Sequence, residues 1–106
     1  MNIKFYRGDD HEEHFRFKTF TGEIENIFFT VKSSSGYPKI KKKLNDGIKL
    51  IGDWYHIIFV PEDTNGLNCE DGMVYDISII TNGLKYTVQK GKFTLDEDVT
   101  TPDCEV

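Results

Sequence analysis

Alanine does not occur anywhere in this chain of 106 residues, while Phe, Tyr, Ile, Val and Thr are plentiful. The best helix former is thus missing and residues suited to a pleated, half-buried surface take its place, so the composition points to sheet. Long apolar runs are also missing. None approaches the roughly 18 residues of a spanning helix, and the opening Met-Asn-Ile-Lys-Phe-Tyr-Arg lacks the uninterrupted apolar stretch of a secretion signal. Synthesis in a cytoplasm and no membrane partner are the expectations. Cysteine is scarce: Cys69 stands in a polar stretch and Cys104 near the end, which argues against a disulfide framework and for two free thiols. Positive charge is in deficit, with 13 Lys and Arg against 18 Asp and Glu. A formal net charge of −5 works against a general affinity for nucleic-acid phosphates, so no nucleic-acid partner is expected.

What is present is a series of short alternating segments closed by turn residues. Ile3 and Phe5 alternate with polar residues before Gly8-Asp9-Asp10, and Phe15 and Phe17 do so before Thr21-Gly22. From Asn26 to Lys32, Ile27, Phe29 and Val31 share one face while Phe28 and Thr30 occupy the other, the pattern of a central strand. Pro38 to Leu44 carries lysine at 39, 41, 42 and 43, which marks an edge strand guarded against edge-to-edge pairing. Ile48 to Ile51 and Trp54 to Val60 flank Gly52-Asp53, a pair suited to a type II′ hairpin turn. The polar stretch from Pro61 to Gly72, with Leu67 as its apolar plug, reads as a crossover between sheets. Met73 to Thr81 and Leu84 to Gln89 flank Asn82-Gly83, which supplies the positive φ angles of a type I′ turn. Inward candidates Leu84, Tyr86 and Val88 are even-numbered while Phe93 and Leu95 are odd, so a bulge is expected between them, at Gly91. Seven to nine short strands at this spacing predict an all-β fold, a sandwich of two antiparallel sheets, with a small partly open barrel as the alternative. One domain spans residues 1–106, with an ordered core over about 2–100 and a tail from 101 to 106.

Candidate chemistry is sparse. Asp9-Asp10-His11-Glu12-Glu13-His14 gathers two imidazoles and four carboxylates, yet His-x-x-His misses the i, i+4 spacing of a zincin helix. A solvated acidic turn with His14 on the outer face of its strand is the simpler reading, and no metal ligand is assigned. Asp63-Thr64-Asn65-Gly66-Leu67-Asn68 has leucine where a calcium loop needs an oxygen ligand, and Asx turns explain it without an ion. No Gly-x-Ser-x-Gly elbow occurs, and the nine glycines fall singly at turns. No catalytic residue and no cofactor are expected. Trp54, Tyr55 and Tyr75 along one face would suit a carbohydrate- or ligand-binding sandwich.

The stretches Ile27-Phe28-Phe29-Thr30-Val31-Lys32, Lys42 to Ile48, Pro61-Glu62-Asp63-Thr64, Val74-Tyr75-Asp76-Ile77, Tyr86 to Leu95 and Asp98-Val99-Thr100 follow one another in an order that carries a resemblance. The chain, from about Phe15 to Thr100, resembles small structural proteins of tailed phages and prophages of Firmicutes, which are similar to the N-terminal immunoglobulin-like domain of the phage baseplate upper protein family. The long downstream receptor-binding part of those proteins has no counterpart here. The resemblance implies an immunoglobulin-like sandwich made in a bacterial cytoplasm, a non-enzymatic virion or assembly module with protein partners, either other copies or other virion components. Lys39, Lys41 and Lys43, on one strand face if the segment is extended, are the candidate interface residues.

Overall fold

The computed structural model describes residues 2–16, 24–67, 69 and 71–97. Their strands are β1 (Ile3–Tyr6), β2 (His11–Phe15), β3 (Asn26–Lys32), β4 (Pro38–Leu44), β5 (Gly47–Ile51), β6 (Trp54–Phe59), β7 (Val74–Thr81) and β8 (Leu84–Asp96), with one helical turn, α1 (Pro61–Thr64), after β6. They pair in the order β1-β8-β7-β3-β4-β5-β6-β2. The β4–β5 step is only two residue pairs long, Lys43 with Gly47 and Leu44 with Ile48, and there the sheet folds over. Five strands, β1-β8-β7-β3-β4, form one layer and β5-β6-β2 the other. Two pairings, β1–β8 and β4–β5, are parallel, and the rest are antiparallel as expected.

Alternation explains the core. Ile27, Phe29 and Val31 of β3 are fully buried, and Tyr75, Ile77 and Ile79 of β7 stand beside them. From the opposite layer Phe59 reaches the rings of Phe5, Phe29 and Phe93, with centroids 5.1, 5.6 and 5.9 Å away. Each such side chain contributes about 1.5–3 kcal/mol by leaving water. Strand β3 is central, as its two-faced pattern suggests, paired with β4 on one side and β7 on the other.

The hairpin turns follow their sequences. Asn82 and Gly83 have φ of 53° and 75°, the double positive of a type I′ turn, whereas Gly52 has φ of 62° and Asp53 stays negative. Three expectations are corrected. Residues His11 to Phe15 form strand β2 rather than an acidic turn entering a strand, because His11, Glu13 and Phe15 share its less exposed side and the row pairs along β6. The bulge of β8 lies at Val88, since Ile77 pairs with Gln89 and Ser78 with Thr87, while Gly91 opposes Tyr75 in regular register. An irregularity between Val31 and Lys32 leaves Lys39 without a partner in the β3–β4 register, while Lys39, Lys41 and Lys43 stay exposed in alternation with buried Ile40 and half-buried Lys42 and Leu44. Lys42, counted among the edge-guarding lysines, turns inward.

That inward lysine organises a corner. Its Nζ lies 2.6 Å from Asp63 Oδ2 and 5.7 Å from the Phe59 ring centroid. Asp63 Oδ2 also accepts the Val60 N–H, at 2.9 Å. Thr64, fully buried, accepts the Gly8 N–H through Oγ1 at 2.8 Å, and Arg7 Nη1 donates to the Leu67 carbonyl at 3.2 Å. The polar crossover is thereby tied to the β1–β2 turn at one end and to β4 at the other, with Leu67 packed on the core as its plug. Gly47 has φ of 97°, and a Cβ there would collide with the Lys42 side chain, so both backbone and space require glycine.

Candidate functional site

The outer face of β4, β3, β7 and β8 is basic although the chain is acidic. Pairing sets out its rows: Lys43 opposite Phe28, Lys41 opposite Thr30 with Asp76 and Lys90 continuing the row, and Lys32 and Lys92 flanking Val74. Lys85, opposite Ile80, extends it toward the Asn82-Gly83 turn. These six lysines and Lys39 are exposed. Asp76 is the carboxylate in their midst, and at the β1 edge Lys4 pairs with Asp96 at 3.6 Å. A shallow groove of about 400 Å³ runs over Phe28, Thr30, Lys41, Asp76 and Lys85. Phe28, 37% exposed, is its apolar floor.

Of the three candidate interface residues, Lys41 and Lys43 lie on this face and Lys39 at the bulged edge beside it. The remaining lysines of the face come from β3 and β8 and were not singled out, because their spacing in the chain is irregular until β7 brings the strands together. Trp54, Tyr55 and Tyr75 do not share a face. Tyr75 is buried in the five-stranded layer, its hydroxyl accepting from Gln89 Nε2 at 2.9 Å. Tyr55 lies beside Phe15, and its burial raises the hydroxyl pKa. Trp54, on the other side of β6, carries Arg16 over its ring at 4.7 Å.

On the outer face of the three-stranded layer a second cluster forms. His14 and His56 are direct cross-strand partners with ring centroids 4.0 Å apart, and Glu12 shares their face two residues along β2. Their donor atoms lie within 4.8 Å of one another. Sequence spacing links Glu12 with His14 but is silent on His56, more than forty residues away. Cys69 is half-buried against the core, and Cys104 lies outside the described residues.

No family model matches the chain, and no curated protein does. Among solved structures the chain is similar to that of the swine CD8αα homodimer, with a TM-score of 0.54 at 12% identity over 90% of this chain and 92% of that one. At that identity the likeness concerns fold, and the fold is an immunoglobulin-like β-sandwich.

Proposed function

We propose that this chain is a non-catalytic interaction module that docks the basic outer face of its five-stranded layer on an acidic protein surface. The observation that carries the reading is charge segregation: six exposed lysines surround Asp76 on this face, whose other carboxylate among the described residues, Asp96, is paired with Lys4 at the β1 edge, in a chain whose net charge is −5. Such an arrangement speeds and orients encounters with an acidic partner more than it adds affinity. The rest of the molecule is correspondingly acidic, so a second copy is one partner of suitable chemistry. The resemblance to phage baseplate immunoglobulin-like domains supports a virion or assembly setting, with other virion components as further partners.

Sedimentation velocity at low and high salt tests the reading, with the parent compared to a Lys41→Glu, Lys43→Glu, Lys85→Glu variant, alone and with purified tail particles of a phage carrying the gene. Association that weakens with salt and is lost in the variant is expected, since screening shortens to about 8 Å at physiological ionic strength. Parent protein that stays monomeric and unbound at both salts refutes the proposal. Association that the charge reversal leaves unchanged refutes the basic face as its seat.

A further inference from the structure

We propose that Glu12, His14 and His56 form a binding site for a divalent transition-metal ion of the zinc type, which staples edge strand β2 to β6. The inference rests on a different face from the docking surface and is independent of it.

The geometry comes from strand pairing. Residues directly opposite on antiparallel strands, and residues two apart on one strand, present side chains to the same face at close range. His14 and His56 satisfy the first relation and Glu12 with His14 the second. The His14 Nε2 to Glu12 Oε2 distance is 3.5 Å, and His56 Nδ1 to the same oxygen is 4.0 Å. Ligands about 2.0–2.2 Å from a tetrahedral zinc ion stand about 3.3–3.6 Å apart, so the first pair already fits and the others, at 4.0 Å and within 4.8 Å, need a contraction of up to about 1.2 Å. Glu12 and His14 side chains are about half exposed, and rotation can supply it.

A second observation concerns His56. Its side chain is 17% exposed, yet Nδ1 is buried and lacks a hydrogen-bond partner among the described residues. A buried polar atom left unpaired is costly, and a cation held between the three side chains satisfies it. Two imidazoles and one carboxylate make a borderline donor set suited to zinc, nickel or copper rather than calcium or magnesium. Three protein ligands leave a coordination position open on the solvent side. Lys49, opposite His56 on β5, and Arg16, stacked on Trp54, are the nearby positive groups, and Lys49 is exposed. Among the described residues strand β2 has no partner beyond β6, so a cross-strand staple secures an edge.

Isothermal titration of the full chain with zinc chloride, and separately with nickel chloride, tests the assignment. One saturable site per chain is expected, weakened by about tenfold or more in His14→Gln and in His56→Gln, with a zinc-dependent rise in melting temperature that both variants lose. Circular dichroism without metal checks that the variants fold, and Glu12→Gln, at an exposed position, serves as a third variant if His56→Gln does not. Nitrogen NMR of the imidazoles in the parent locates the ion directly, with His14 Nε2 and His56 Nδ1 expected to shift and the His11 ring unchanged. No saturable binding up to about millimolar metal overturns the site, as does binding that the substitutions leave unaltered or ring shifts confined to His11.

Discussion

The two layers of this sandwich hold their inner faces differently. In the five-stranded layer the inward rows Ile27-Phe29-Val31 and Tyr75-Ile77-Ile79 are aliphatic or aromatic and closed to water. In the three-stranded layer β6 contributes Ile57 and Phe59, but β2 sets His11 and Glu13 beside Phe15 on its less exposed side. His11 stacks on Phe5 at 4.4 Å, its buried Nε2 lacks a hydrogen bond among the described residues, and a carboxylate oxygen of Glu13 is 3.5 Å away. The larger layer supplies most of the apolar burial, while the smaller one keeps polar groups whose value to stability is low. Apolar burial is thus concentrated in the larger layer and polar inner positions in the smaller one.

The widest test of that division is Phe29→Ala. Removing a fully buried ring at the centre of the larger layer should cost about 3–5 kcal/mol in urea unfolding, more than Phe15→Ala at the edge of the smaller one. Equal costs would break the comparison. Next comes the corner that joins the layers. Asp63→Asn removes the charge facing Lys42 and should cost about 2–3 kcal/mol, somewhat below a fully buried pair because Asp63 keeps 22% exposure. Chemical denaturation of Asp63→Asn beside Lys42→Met would show whether the stranded lysine, rather than the lost contact, sets the penalty.

A smaller effect is expected at the β7–β8 hairpin. Gly83→Val puts a β-branched residue at a φ of 75° with nothing within 4 Å of the added Cβ, so about 1–2 kcal/mol should be lost through backbone strain alone. A thermal melt coinciding with the parent's would mean that the turn adapts. The smallest change should have the opposite sign. His11→Phe retains the stack on Phe5 and removes the orphaned nitrogen, so the protein should gain up to about 1 kcal/mol. Destabilisation there would show that the His11–Glu13 pair contributes to stability, and the contrast between layers would weaken.

Most of the architecture was legible where inward residues are apolar. The rows of β3 and β7 announce period two, and Asn82-Gly83 and Gly52-Asp53 name their turn types, because few residues tolerate positive φ. Strand β2 was obscured because hydrophobic alternation vanishes when inward positions carry His and Glu, and His-Glu-Glu-His then resembles a turn. Lys42 looked like its neighbours for the same reason: nothing local says that one lysine of four will meet Asp63 across a corner.

By itself, then, the sequence determined the strand content, the hairpin turns and the two-faced central strand, since these follow from side-chain period and backbone sterics within a few residues. Only the tertiary structure decided that six lysines from three strands gather on one face, that the β8 bulge falls at Val88 instead of Gly91, and that His56 meets His14. Those outcomes depend on register between segments far apart in the chain, which no one segment's own pattern sets.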